Sequence, residues 1–308
     1  MSTTSIASGG ARRRDSQRSH RRRQALAGVL FILPALLSFA LLVVGPLLYA
    51  LYLSFFSQRL VGDNLFTGLD NYREALQDPE FGQGLLRMLL FLVVQVPIML
   101  GLALVFALLL DSGRLWLARL IRLGVFIPYA VPSVVAALMW GFLYGKDFGL
   151  LGQLGRTFGV AVPRFLGGDL ILASIGNVVT WTYAGYNMVI LYSALRTVPG
   201  ELYEAAAIDG AGPVRLALQI KLPLLRPALL LCTVFSVIGS FQLFNEPSIL
   251  RSAAPDAISS SYTPNLYIYR LAFQDQRLNY AAALSFLLGF VVFLLSYVLT
   301  WAAGRRRS

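Results

Sequence analysis

Apolar residues run along this chain in long blocks separated by short polar stretches. Six blocks reach the roughly 20 residues a helix needs to cross a bilayer: Ala25 to Phe56, Met88 to Leu110, Leu123 to Tyr144, Leu170 to Leu195, Pro227 to Ile249 and Tyr280 to Ala303. Inside a bilayer every backbone polar group must be satisfied within the protein, so blocks of this length predict an all-α protein with six transmembrane helices. Pro34 and Pro46 interrupt the first block, where neighbouring helices can satisfy the freed carbonyls. The same block is far longer than the roughly 7–15 apolar residues of a secretory leader, and no small-residue cleavage site follows it. The pattern divides the chain into a disordered Arg-rich tail (1–24), a first span with an external loop (25–82), a five-helix core (83–303) that contains a polar central loop (197–226), and a basic end (304–308).

Composition agrees with a bilayer protein: of 308 residues, 57% are hydrophobic and 13% charged, against about 25% charge in an ordinary soluble domain. The formal net charge of +11 does not point to nucleic acid, because the basic residues, nearly all Arg, cluster at the ends of the apolar blocks. The two ends, the loop 111–122 and the central loop with its flanks hold 17 of the 26 basic residues; the other 9 lie among ten of the fifteen acidic ones. The positive-inside rule therefore puts both termini and the central loop in the cytoplasm, with Tyr297 and Trp301 as interfacial residues. Cys232 is the single cysteine and His20 the single histidine, which leaves neither a disulfide framework nor a Cys/His metal site.

The central loop carries the most ordered polar pattern, EAAAIDGAGPVRLALQIKLP from Glu204 to Pro223. Pro199 suits a helix start, Glu201 and Glu204 sit near its positive end, and Gly210 and Gly212 end it. Pro213 starts a second short helix, Val214 to Lys221, which Pro223 is expected to stop. Ala205, Ala206 and Ala207 give the first helix a smooth face that another protein's groove could accept.

Within the spans, polar residues are the default functional candidates. Tyr183, Tyr186 and Asn187 follow Asn177 and Trp181 in the fourth block, and Tyr183 and Asn187 share a face at i, i+4. In the fifth, Gly239, Gln242 and Glu246 fall on one stripe with Asn245 beside it; Glu246 belongs either to that passage or to its external mouth. Aromatic faces with planar amides suit a hydroxyl-rich ligand such as a sugar, which stacks on one and hydrogen-bonds to the other. Read singly, each of these side chains is roughly twice as often helix glue as a ligand contact; as a group they favour a polar passage.

Nucleotide chemistry is absent from the sequence. In the only Gly-Lys pair, Gly145-Lys146, Trp140 stands where a phosphate loop needs its first Gly, and Asp147 stands where it needs Ser or Thr. No Ser-His pair or intramembrane aspartate pair is available for proteolysis.

The central stretch resembles the coupling loop of binding-protein-dependent ABC importer permeases, in which EAA is followed by three residues, Gly, nine residues, Ile, any residue, Leu and Pro. Glu204, Ala205, Ala206, Gly210, Ile220, Leu222 and Pro223 keep every spacing, with Asp209 beside the glycine. Seven fixed positions at background usage match by chance on the order of once in 10⁵ chains of this size. TWTYAGYNMVILYSAL, SFQLFNEPSIL and TPNLYIYRLAFQDQRLNYAAALSFLLG look like the carbohydrate subgroup, and the resemblance covers about Phe31 to Trp301. RSAAPDAISSSYTPN stands where family members often carry Gly-Gly-Pro, which leaves the sugar open.

The resemblance implies a type I ABC importer permease fold in the bacterial plasma membrane. It implies as partners a second homologous permease, two ABC ATPase subunits that bind the ATP and Mg, an external solute-binding protein and a sugar substrate. No cofactor is expected in this chain. The rivals are a membrane enzyme acting on a lipid-linked sugar, for which no convergent catalytic set is found, and a stand-alone secondary carrier, for which no internal repeat is visible.

Overall fold

The computed structural model describes residues 28–57, 65–113, 116–146 and 149–305. The expected tail at 1–24, with His20, and Arg306 and Arg307 lie outside these residues. The first helix, α1 (Gly28–Ser54), absorbs its second proline, Pro46, through a wide i→i+5 turn at Ala40–Val44. Pro46 has no N–H to give, and Gly45 bonds instead to the Ala40 carbonyl. After α1 the chain forms a hairpin of two two-residue strands, β1 (Phe56–Ser57) and β2 (Leu65–Phe66), which pairs Phe56 with Phe66 and is the one departure from helix among the described elements.

A short α2 (Asp70–Gln77) leads into α3 (Pro79–Asp111), which begins nine residues before its apolar block. The cause is local. Asp78 caps the helix by accepting from the N–H groups of Glu80 and Phe81, and Pro79 fills the first position, where a missing N–H costs nothing.

The third block does not form the single straight span expected of Leu123 to Tyr144. It is two helices, α4 (Ala118–Phe126, extended by a 3-10 turn Ile127–Ala130) and α5 (Ser133–Tyr144), bent by 100° at the break. Pro132 drives the residue before it out of the helical region, and Val131 is extended at φ −78°, ψ 126°.

Next come α6 (Leu150–Phe158) and α7 (Ile171–Arg196), then α8 (Gly200–Ile208) and α9 (Pro213–Leu216) in the central loop. Pro223 does not stop the second loop helix. A wide turn at Ala217–Lys221 lets Leu222 bond to the Ala217 carbonyl, and the chain runs on into α10 (Leu222–Phe241), the same solution that accommodates Pro46. Three helices remain: α11 (Asn245–Leu250), α12 (Pro264–Tyr269) and α13 (Leu278–Arg305).

Among the described residues four helices are long and apolar enough to cross a membrane, and the bent pair can supply a fifth crossing. The 26-residue α7 is long enough for the sixth, at about 39 Å by its rise per residue against a hydrocarbon core of about 30 Å. Its polar residues, Asn177, Thr180, Thr182 and Asn187, dilute its apolar character. α3 and α7 pack along their lengths as the spine of the bundle. Met88 and Phe91 meet Ile171 and Ile175 in the half nearer Asp78. Ala103 and Ala107 meet Met188, Leu191 and Leu195 in the half nearer the Glu204 loop, where small residues allow close approach and Cys232 lies buried. Phe31, Leu41, Phe290 and Phe293 point outward, where a bilayer supplies their apolar surroundings.

At the end opposite the Glu204 loop, one carboxylate ties three elements. Asp78 Oδ2 accepts from the hydroxyls of Tyr267 at 2.6 Å and Tyr280 at 2.8 Å. Burial raises the Asp78 pKa, but the two phenols and then the Phe81 and Glu80 N–H groups outweigh it and hold the carboxyl below its usual range. Around this knot Arg277 pairs with Glu74 at 2.7 Å and Arg270 with Glu80 at 3.1 Å.

Candidate functional site

Between α3, α7 and the α10–α11 junction lies a cavity of about 250 Å³, with Ser133 at the third-span break also on its wall. Its lining includes Tyr183, Tyr186, Asn187, Gln242 and Asn245, so all five residues singled out in the spans come together. They do so by a route different from the expected stripe. α10 ends at Phe241, Gln242 sits at φ −88°, ψ 5°, and Leu243 and Phe244 are not helical, so Gln242 and Glu246 share a wall because the chain turns between them. Glu246 is not at an outer mouth: it is buried, lines the cavity, and is the only charged residue that does so among the described residues.

Helix α7 supplies the aromatic side. Tyr186 stacks on Tyr129 with ring centroids 4.7 Å apart, and Tyr183 meets the same ring edge-on at 5.9 Å. Asn187 donates to the Tyr183 carbonyl at 3.0 Å and to Met99 Sδ at 3.8 Å, which fixes its amide plane. Asn245 donates to Ser133 Oγ at 2.9 Å, joining α11 to the start of α5. Trp181 and Asn177 turn elsewhere: Trp181 packs edge-on against Trp140, and Asn177 donates to Tyr144 Oη.

Residues beyond the expected ones also build the site, Gln95 on its wall and Tyr129 beside it among them. Gln95 lines the cavity from α3 and donates to Thr180 Oγ1 at 3.2 Å; its signal is that it is the one amide in an otherwise apolar block. It also borders a second, more apolar groove of about 500 Å³ between α3 and α7. Tyr129 sits between Pro128 and Pro132, and only the break turns its ring toward α7. Gly185 lets these elements meet, since a Cβ there would lie 1.9 Å from the carbonyl oxygen of Val125.

The Glu204 loop lies at the far end of the bundle. Glu204, Ala205 and Asp209 are exposed on and just after α8. Ala206 is buried against the protein itself, so the alanine run is not one outward face; the side chain of Ala207 lies outside the described residues. Gly210 has φ +75°, and Ala211 bonds back to the Ala206 carbonyl at 2.9 Å, a turn that closes α8. Nothing lies within 4 Å of a Cβ built at Gly210, so the backbone angle, and not space, requires glycine. Ile220, Leu222 and Pro223 lie on the rising helix through α9 and α10. Ile208 and Val214 are 87% and 71% exposed, an apolar pair at the tip of a polar loop.

One residue of this loop turns inward. Lys221 is buried and its Nζ stands 2.5 Å from Asp111 Oδ2. The ring of Tyr203 lies 4.8 Å from the same ammonium. Burial and the Asp111 carboxylate push the Tyr203 phenol up, and Arg196 offsets part of that rise.

The chain matches the family described as "Binding-protein-dependent transport system inner membrane component" over residues 99–305. It is 32% identical over 300 residues to the lactose transport system permease of Rhizobium radiobacter, covering 95% of this chain and 99% of that one. It is 28% identical over 288 residues to the arabinooligosaccharides transport system permease of Halalkalibacterium halodurans, covering 91% and 89%. Among solved structures it shares its fold, at a TM-score of 0.80 and 18% identity over 94% of this chain and 96% of the other, with a bacterial alginate ABC transporter in complex with an alginate pentasaccharide-bound periplasmic protein. The spans, the loop spacing and these likenesses agree, and the chain belongs to the binding-protein-dependent transport system inner membrane components: it is a multi-pass membrane transport subunit, not an enzyme.

Proposed function

We propose that this chain is a permease subunit of an ATP-driven importer of an uncharged sugar, with an oligosaccharide as the favoured substrate. The observation that carries this reading is the central cavity, where Tyr183 and Tyr186 offer ring faces and Asn187, Gln242 and Asn245 offer amides. Among the described residues no Lys or Arg lines it and Glu246 is the single charged side chain, so an acidic sugar finds no counter-ion there. The lactose and arabinooligosaccharide permeases support the neutral class. Alginate is described as an acidic polysaccharide, and its transporter shares the fold alone. At about 250 Å³ the cavity is smaller than ligand pockets of about 300–1,000 Å³, which supports a second permease subunit supplying the opposite wall.

Both termini and the Glu204 loop face the cytoplasm, by the distribution of basic residues. There α8, with Glu204 and the exposed Ile208 and Val214, docks on one of two separate ATPase subunits, which hold ATP and Mg. At the opposite face a solute-binding protein delivers the sugar. ATP binding and hydrolysis then alternate the side on which the cavity opens.

Uptake of labelled lactose, an arabinan-derived oligosaccharide and a uronate oligosaccharide by cells with and without this chain tests the reading. Uptake of one of the neutral sugars should depend on both this chain and the partner ATPase. Transport by the chain alone, or no dependence for any sugar, would overturn it.

A further inference from the structure

The buried pair Lys221 and Asp111 is unused by the transport reading, and its position is peculiar. Asp111 is the last residue of α3, at the negative end of the helix dipole, where a carboxylate is disfavoured by about 0.3–1 kcal/mol. Both side chains are more than nine-tenths buried, an environment that tolerates charges only when they are paired. The partner comes from 110 residues along the chain, between Ile220 and Leu222 of the loop pattern. Tyr203, immediately before Glu204, closes the other side of the ammonium with its ring; its buried hydroxyl has no hydrogen-bond partner among the described residues. One cation thus joins three elements: α8, the wide turn that begins the rise into α10, and the end of α3.

What α3 does at its middle gives this junction a use. Sixteen residues before Asp111, Gln95 lines the central cavity and bonds to Thr180, and Met99, on the same wall, takes the Asn187 amide. Pro97 lies between Gln95 and Met99 and removes one rung of the helix ladder, so α3 can bend where it meets the cavity.

We propose that Asp111, Lys221 and Tyr203 form a strut that passes movement of the Glu204 loop to α3, and through the Pro97 bend to the cavity wall. The proposal rests on the coupling role given to the loop above. All three are positioning residues: they touch neither the sugar nor the nucleotide. The ring of Tyr203, and not its hydroxyl, does the clamping.

The test uses the full complex in nanodiscs, with a cysteine replacing Ser236 on the cavity wall in a Cys232→Ser background. Its reaction with N-ethylmaleimide is compared without nucleotide and with ATP and vanadate. In the otherwise wild-type complex the rate should change by about fivefold or more, the lower range of allosteric coupling. The double variant Asp111→Leu/Lys221→Met removes both charges and leaves no orphan; it should assemble and bind ATP, yet lose that change. The swap Asp111→Lys/Lys221→Asp should restore at least half of it. Tyr203→Phe should behave as wild type and Tyr203→Leu should not. A full nucleotide response in the uncharged pair, or its failure to assemble, would overturn the strut. Gly210→Asp separates the two levels: if it uncouples while the uncharged pair does not, the strut alone is wrong. If neither alters the response, the coupling reading falls with it.

Discussion

The ring of Tyr129 lies nearly parallel to that of Tyr186, at an interplanar angle of 19°, so the break in the third span and the middle of α7 build one aromatic platform beside the cavity. A stacked pair of this kind is worth about 0.5–1.5 kcal/mol beyond its burial. Tyr186→Leu removes the ring face that Tyr186 turns to the cavity, and should raise the sugar concentration for half-maximal uptake without loss of the assembled complex. Uptake at graded sugar concentrations measures it, and an unchanged curve would move the pathway away from this wall.

Asn187→Leu and Gln242→Leu each remove an amide from the cavity wall. Each should change selectivity among hydroxylated sugars, because a sugar hydroxyl left unpaired costs about 1–3 kcal/mol. Normal transport of every sugar in the panel by both variants would make these residues helix glue.

Gly210 tests transmission. Its φ of +75° strains any residue with a Cβ by about 1 kcal/mol or more, yet the open space around it leaves the bundle intact. Gly210→Asp should remain in the membrane, still meet the binding protein, lose uptake and release the ATPase on pull-down; Glu204→Ala should do so in part. Wild-type ATP hydrolysis stimulated by the sugar-loaded binding protein would remove the loop from the coupling route.

Orientation is checked with an impermeant thiol reagent on intact cells in a Cys232→Ser background. Single cysteines at Gln153 and Asp256, both exposed, should react from outside, and one at the exposed Val214 should react only after permeabilisation. Labelling of position 214 from outside would invert the topology.

Asp78 sets an acid limit. Its carboxyl titrates below the ordinary value of 3.8 in the folded protein, so its contribution is present above about pH 4 and fades as pH falls through the depressed value. Asp78→Asn should lower stability at pH 7 by about 1–2 kcal/mol, modest because the site is part-exposed. It should also flatten the acid-side loss. Thermal unfolding of the purified protein at pH 7 and pH 3 measures both, and identical acid profiles would mean that other carboxylates set the limit.

The spans were legible because a bilayer allows few alternatives to a long apolar helix, and the loop was legible because its spacing is fixed residue by residue. The cavity residues could be singled out because Asn187 or Gln242 stands out in an apolar block. What escaped detection depends on partners distant in sequence. Pro223 looks like a stop, but the wide turn at Ala217–Lys221 carries the helix past it. Pro132 looks like Pro34 or Pro46, tolerated within a span, yet with Pro128 close by the chain turns through 100°. Nothing in the local pattern around Asp111 announces Lys221, because an ion pair between the ends of two helices leaves no periodicity in either.

Gly185 has an implication for changing the cargo. With the Val125 carbonyl occupying the space of its missing Cβ, α7 and α4 meet backbone to backbone, and no side chain at that point can be resized to move one against the other. That wall is a fixed template. Room for a longer or differently branched sugar must come from the facing segment, Gln242 to Glu246, where the helix is interrupted from Gln242 to Phe244 and resumes only at Asn245. Libraries aimed at retargeting such a transporter are best spent on those five positions.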